Sequence, residues 1–189
     1  MGLWTINFSL ALLSFATFYW GVRAVFRKVS DKDPRGMILI KLVSGIAMVG
    51  FLITIALSHS AQTWILWLAD ALFVISNCLF WMAVKVNRKQ PLSLAYSPDL
   101  PVHVVKTGVY SKVRHPFYTS YLVAYIASFL SAPTPISALL VTIMAMLYFQ
   151  AARTEEKKFN HSNVSSDYRQ YAHRTGMFFP KLTKKAQKM

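Results

Sequence analysis

With 189 residues, 54% of them hydrophobic and 15% charged, the chain leaves no room for a soluble domain beside its apolar blocks. A formal charge of +14 would suggest nucleic acid in a soluble chain, but here the Lys and Arg residues sit in alternate intervals between the blocks, which assigns them to topology and excludes a nucleic-acid role. The single Cys78 excludes an intrachain disulfide and a cysteine-based metal site.

Five apolar blocks follow one another: Leu3 to Phe26, Met37 to Ser58, Trp64 to Val86, Phe117 to Ser131 and Ile136 to Ala152. The first three are long enough to cross a hydrocarbon core of about 30 Å. The last two are shorter, and Pro133 and Pro135 mark the turn of a tight helical hairpin between them. Met1 to Ser9 lacks a basic n-region, so the first block is expected to be a retained span. The pattern predicts an all-α integral membrane protein with about five transmembrane helices. Residues 1–86 form three N-terminal helices; residues 87–189 form a core of interfacial segment, helical hairpin and C-terminal tail, integrated into one domain.

Basic residues crowd Arg23 to Arg35, Lys85 to Arg114 and Arg153 to Lys188. The connections Ser58 to Thr63 and Ser131 to Pro135 carry no Lys or Arg. The positive-inside rule then puts the N-terminus outside and the C-terminus in the cytoplasm. The tail Lys181 to Lys188 is expected to meet anionic lipid headgroups. Within the spans, Lys41 lies one turn into the second and can snorkel, while Asp70 suits a structural hydrogen bond, with Ser76 and Asn77 sharing in polar packing.

Residues 87–116 cannot cross a membrane. Pro91, Pro98 and Pro101 alternate there with Leu92, Leu94, Leu100, Val102 and Val104, as in an ordered interfacial segment. Val102 to Val105 has strand-like composition, but one short strand alone is marginal. Lys106 to Tyr110 forms a turn around Gly108, and His115-Pro116 marks the start of the fourth helix. That helix N-terminus, with Arg114 beside it, suits a carboxylate. Taken singly, Arg114 is a headgroup anchor, His115 an interfacial histidine, and Tyr118, Tyr121 and Tyr125 a packing stripe.

The fifth helix changes this reading. Tyr148 to Phe159 continues out of the membrane, and a short loop makes the fourth and fifth helices antiparallel. Arg153, Glu155 and Glu156 return to the level of Arg114 and His115, with Tyr148 and Gln150 deeper. Ionisable groups gathered at one depth of a membrane indicate a site. Asp167 to Arg174 forms a short helix, and Met177 to Pro180 an apolar segment suited to cap the pocket.

Gly108-Val-Tyr110, Arg114-His-Pro-Phe-Tyr118, Arg153-Thr-Glu-Glu156, Tyr168-x-x-Tyr171-x-x-Arg174 and Phe179-Pro180 together resemble the isoprenylcysteine carboxyl methyltransferase family, related to the phospholipid methyltransferases. The resemblance covers residues 102–182. It departs from the family pattern at Val109, at Ser120 and over Asn163 to Ser166. It implies a cytoplasmic S-adenosylmethionine pocket built from the last two helices, the interfacial segment and the tail. The methyl acceptor is implied to be lipophilic and to enter from the bilayer, in the best-known members as the carboxylate of a prenylated cysteine. His103, Val105, Gly108, Tyr110, His115, Pro116, Tyr118, Tyr121 and Glu155 are implied to line the cofactor, whose amino group suits Glu155 or Glu156. Arg114, Arg153, Glu155 and Glu156 are implied at the catalytic centre, Arg153 holding the acceptor.

A carboxylate is already ionised at neutral pH and needs no base; an amine or phenol acceptor, as in a phospholipid methyltransferase, requires one. From other classes, an NADPH-dependent membrane reductase and a non-enzymatic accessory protein would share parts of the pattern. A five-span chain of this size suits a bacterial or archaeal cell membrane.

Overall fold

The computed structural model describes residues 2–24, 34–57, 61–88, 96 and 99–181. Pro91, Leu92, Leu94 and Pro98 of the expected interfacial segment, the basic connection 25–33, the connection at 58–60 and the tail beyond Lys181 lie outside the described residues.

Among the described residues six α-helices follow in order: α1 (Leu3–Ala24), α2 (Arg35–Leu57), α3 (Thr63–Asn87), α4 (Pro116–Ser131), α5 (Pro135–Asn160) and α6 (Ser165–Arg174). Four stretches among the described residues are long and apolar enough to cross a membrane: Leu3–Gly21, Arg35–Leu57, Thr63–Asn87 and Pro135–Asn160. The chain is an all-α, multi-pass integral membrane protein. The fourth expected span differs from the rest. At 16 residues α4 is roughly 24 Å long, short of a full crossing. It packs against α1, α2, α3 and α5, so its neighbours shield it.

The antiparallel α4–α5 hairpin follows from its turn. Pro135 takes the first position of α5, where its missing N–H costs nothing, and Thr134 caps the helix in a reciprocal pair with Ser137. The Ser137 hydroxyl also donates to the Ala132 carbonyl over 2.7 Å, tying the end of α4 to the start of α5.

Aromatic residues centre the bundle on α4. Phe18 of α1 meets Tyr121 edge-on at 4.7 Å, and Phe80 of α3 meets Phe117 at 5.5 Å. Phe51 of α2 and Tyr148 of α5 stack on Tyr125 at 5.4 and 6.2 Å. Outward residues such as Leu42, Ile46, Val49 and Ile53 stay exposed, as lipid-facing positions require.

Polar pairs set the register. Asp70 accepts the structural hydrogen bond expected of it, from Asn7 Nδ2 at 2.7 Å. Asn77 donates to Ser14 at 2.6 Å, fixing α1 parallel to α3. Ser76 donates to the Ser120 carbonyl on α4 at 2.7 Å, so Ser76 and Asn77 serve different helices and neither reaches Asp70. Each pair satisfies groups that lipid cannot.

Replacing Asn7 by Ala strips the buried Asp70 of its donor, at a cost of about 1–3 kcal/mol. Unfolding in mixed micelles is expected to show that loss for Asn7→Ala and almost none for Ser9→Ala, whose exposed hydroxyl serves only its own helix.

Candidate functional site

The site lies where the N-terminus of α4 meets the last two turns of α5. Three further pieces close around it: the turn before α4, α6, and the strap 175–181.

A 3₁₀ turn over Gly108–Ser111 opens the approach to α4. Gly108 has a φ of +58°, and a Cβ there would lie 2.8 Å from Val86, so both backbone and packing require glycine. The turn is pinned from α6: the Tyr171 hydroxyl donates to the Tyr110 carbonyl at 2.7 Å, and Lys106 pairs with Asp167. Burial pushes the Tyr171 hydroxyl up to about 12, so it remains a donor. Val102 to Val105 forms no strand; its backbone runs as irregular chain into the turn.

The strap runs beside residues 113–115. Val113 and Gly176 form a single parallel bridge. The Arg114 and His115 amides donate to the Gly176 and Met177 carbonyls at 2.8 and 3.1 Å. Thr119 Oγ1 donates to the Phe178 carbonyl at 3.1 Å, and the Phe178 ring lies 6.1 Å from His115. Gly176 allows the close fold, because a Cβ there would lie 1.6 Å from the Phe179 carbonyl oxygen. The Met177 to Pro180 segment thus covers the α4 N-terminus, in the place expected of a cap.

Inside this frame a chain of charged groups links α4 to α5. Arg114 Nε donates to Glu156 Oε1 at 2.7 Å. Its Nη1 donates to the Thr175 and Ala172 carbonyls at 2.5 and 3.2 Å, so the same guanidinium ties α5 to the end of α6. His115 Nε2 lies 3.1 Å from the same Glu156 oxygen, and His115 Nδ1 lies 3.4 Å from Glu155 Oε2. Tyr118 donates to Glu155 Oε1 at 2.5 Å. The carboxylates gathered at the α4 N-terminus are therefore the chain's own. Burial alone would push His115 below its ordinary range; its contacts with Glu155 and Glu156 outweigh that and raise it.

The rings continue the chain inward. Tyr118 lies nearly flat between His115 at 5.7 Å and Tyr148 at 5.3 Å. Tyr148 meets the Tyr125 hydroxyl at 3.4 Å and Ser44 of α2 at 3.2 Å.

Of the expected site residues, Arg114, His115, Tyr118, Glu155 and Glu156 form one connected cluster. Tyr121 joins through the ring of Tyr118 at 6.5 Å, and Pro116 is buried as the first residue of α4. Val105 and Tyr110 are buried in the wall of the turn. His103 Nε2 and the Tyr110 and Tyr121 hydroxyls are buried with no hydrogen-bond partner among the described residues. Gln150 is exposed, and so is Arg153, whose guanidinium lies 6.0 Å from the Phe149 ring on the outer side of α5. Sequence reasoning missed Ser44, Thr119 and Thr175. Thr119 carried a signal, sitting one turn after His115 in the motif; Ser44 carried none, since its partner Tyr148 lies 104 positions away.

Fold and site define a multi-pass membrane protein that concentrates its acid–base groups at one end of a helical bundle. The family profile for the isoprenylcysteine carboxyl methyltransferase (ICMT) family matches residues 67–161, just over half of the 189-residue chain and inclusive of α4, α5 and the Arg-His-Pro and Arg-x-Glu-Glu motifs. The chain belongs to this family, and is on that ground a membrane methyltransferase. Comparison with curated proteins gave no significant match.

The raised His115 gives a pH signature. Its stabilisation is complete below about pH 6.5, the ordinary histidine value, and disappears as pH rises through the higher folded value. The thermal midpoint in detergent is expected to fall over that alkaline interval, and His115→Gln to remove that part of the slope.

Proposed function

We propose that the protein transfers a methyl group from S-adenosylmethionine to a lipophilic acceptor that approaches from the bilayer. Family membership carries the methyltransferase class; the arrangement around His115 supports the donor. S-adenosylmethionine, when bound, supplies an electrophilic methyl on a positively charged sulfur. It also brings a carboxylate, an amino group and hydroxyls that need polar partners.

The residues fit those needs. The unpartnered His103 Nε2 and Tyr110 and Tyr121 hydroxyls are buried polar atoms of the kind a polar ligand satisfies. Glu155 and Glu156 suit the amino group, held in place for it by Arg114 and His115. Tyr110 and Tyr121 favour a sulfonium through their faces, each by about 0.5–2 kcal/mol. The strap over the α4 N-terminus and the aromatic stack behind it are suited to limit water at the site, as methyl transfer requires.

The family name makes a carboxyl group, such as that of an isoprenylcysteine, the first acceptor to test. Glu155 beside Tyr118 favours a second reading, a lipophilic phenol or amine. Arg153, which projects toward the exposed Phe149, would meet a carboxylate acceptor at the outer face of α5. The charge pattern of the loops supports a site on the cytoplasmic side, with the N-terminus outside, and the small size of the chain suits a bacterial or archaeal membrane.

Calorimetry with S-adenosylmethionine tests the proposal. Binding is expected to weaken roughly 10–100-fold in Arg114→Ala and in Glu156→Gln, as loss of a charged hydrogen bond requires. Failure of the wild-type protein to bind S-adenosylmethionine, or tighter binding of NADPH in competition, would overturn the reading.

A further inference from the structure

The charges around Glu155 bear on which acceptor the site takes. Both cations inside the cluster already face carboxylates. Arg114 is held by Glu156 and two backbone carbonyls, and both nitrogens of His115 point at Glu155 and Glu156. Lys158, half-buried one turn further along α5, carries a charge that acts on Glu155 and Asp99. Arg153, the cation suited to an acceptor carboxylate, projects from the other side of α5.

What the interior offers is therefore two carboxylates and a row of phenols. Glu155 keeps 26% of its side chain exposed, against 15% for Glu156, so it is the more open of the two. An ionised acceptor brought to Glu155 meets a like charge in a poorly solvated place. It also has no proton to lose. An O–H or N–H acceptor reverses both points: a phenol needs a base within hydrogen-bond reach, an amine arrives as an ammonium that must give up a proton before its lone pair can attack, and neither is repelled by a carboxylate.

We propose that Glu155 is the general base for an acceptor that still carries a proton on the atom to be methylated, a lipophilic phenol or amine, and that Tyr118 positions that base. The proposal rests on the methyltransferase reading above. The acceptor lone pair forms the new bond to the methyl carbon while the methyl–sulfur bond breaks, leaving its electron pair on sulfur. The O–H or N–H proton passes to the Glu155 carboxylate, so charge and atoms balance. Tyr118 donates to Glu155 Oε1 at 2.5 Å, and its ring is fixed between His115 and Tyr148, 20° and 19° from parallel. The Tyr118 bond holds the carboxylate in one rotamer. Glu155 Oε2, 3.4 Å from His115 Nδ1, is less tightly engaged.

The test uses the full chain in mixed micelles and three ligands that share one alkyl chain and differ in a phenol, amine or carboxylate head. Calorimetry without turnover measures their affinities and that of S-adenosylmethionine; transfer of labelled methyl is then followed across pH. Wild type is expected to bind and methylate the phenol or the amine in preference to the carboxylate, the two arms identifying which. Glu155→Gln, assayed at saturating S-adenosylmethionine, is expected to narrow the affinity gap between the phenol and amine heads and the carboxylate, and to lose about 10²–10⁴-fold in rate. Tyr118→Phe, which retains the base, is expected to stay active with the acidic limb of its pH–rate profile moved to higher pH. Preferential methylation of the carboxylate, or wild-type rates with the phenol and amine in Glu155→Gln, would overturn the proposal and leave the methyltransferase reading intact. Absence of S-adenosylmethionine binding by the wild type would instead sink that reading and this proposal with it.

Discussion

One carboxylate oxygen holds the site together. Glu156 Oε1 receives Arg114 Nε at 2.7 Å and faces His115 Nε2 at 3.1 Å, in a place where its side chain is 15% exposed. Removing a charge from water costs several kcal/mol, and a pair of this kind is favourable only when further hydrogen bonds satisfy its members. That condition is met. Arg114 gives its remaining contacts to the Thr175 and Ala172 carbonyls, and His115 gives its other nitrogen to Glu155. The α4 N-terminus, the α5 C-terminal turns and the end of α6 must therefore stay in one arrangement for any of them to be satisfied.

The rest of the bundle serves this constraint. A short α4 brings its N-terminus, rather than a long exposed overhang, to the level of Glu155 and Glu156. Full-length neighbours shield α4 and supply the lipid-facing surface that it lacks. The stack from His115 through Tyr118 and Tyr148 to Tyr125 and Phe51 carries the geometry of the polar end into the apolar core. A shift of α5 along its axis would break the charged contacts and the ring contacts together.

Much of this was legible in the sequence because membranes simplify the physics. Apolar block length and the prolines at 133 and 135 gave the helices and the hairpin, and the hairpin returned Glu155 and Glu156 to Arg114 and His115. Direction around a helix was harder to read. Arg153, Glu155 and Glu156 are close in sequence, yet only the two glutamates share the inner face of α5 with Tyr148 and Ala152. Arg153 lies well round the helix and is exposed. Contacts made by backbone left no trace either: nothing in Thr175 to Phe178 announces that its carbonyls receive Arg114, His115 and Thr119. The length of α4 was visible, but its sheltered position was not, since it depends on rings contributed by four other helices.

A double-mutant cycle between Arg114 and Glu156 tests the central claim most directly. Arg114→Met, Glu156→Gln and the double variant would be unfolded reversibly in mixed micelles and compared with the wild type. If this ion pair joins the helices, each single change leaves its partner charge buried and unpaired, and the double variant is less destabilised than the two singles together predict. The coupling expected is on the order of 1–3 kcal/mol. Strict additivity would contradict the account, because it would mean that the two groups act independently and that the bundle does not depend on their contact.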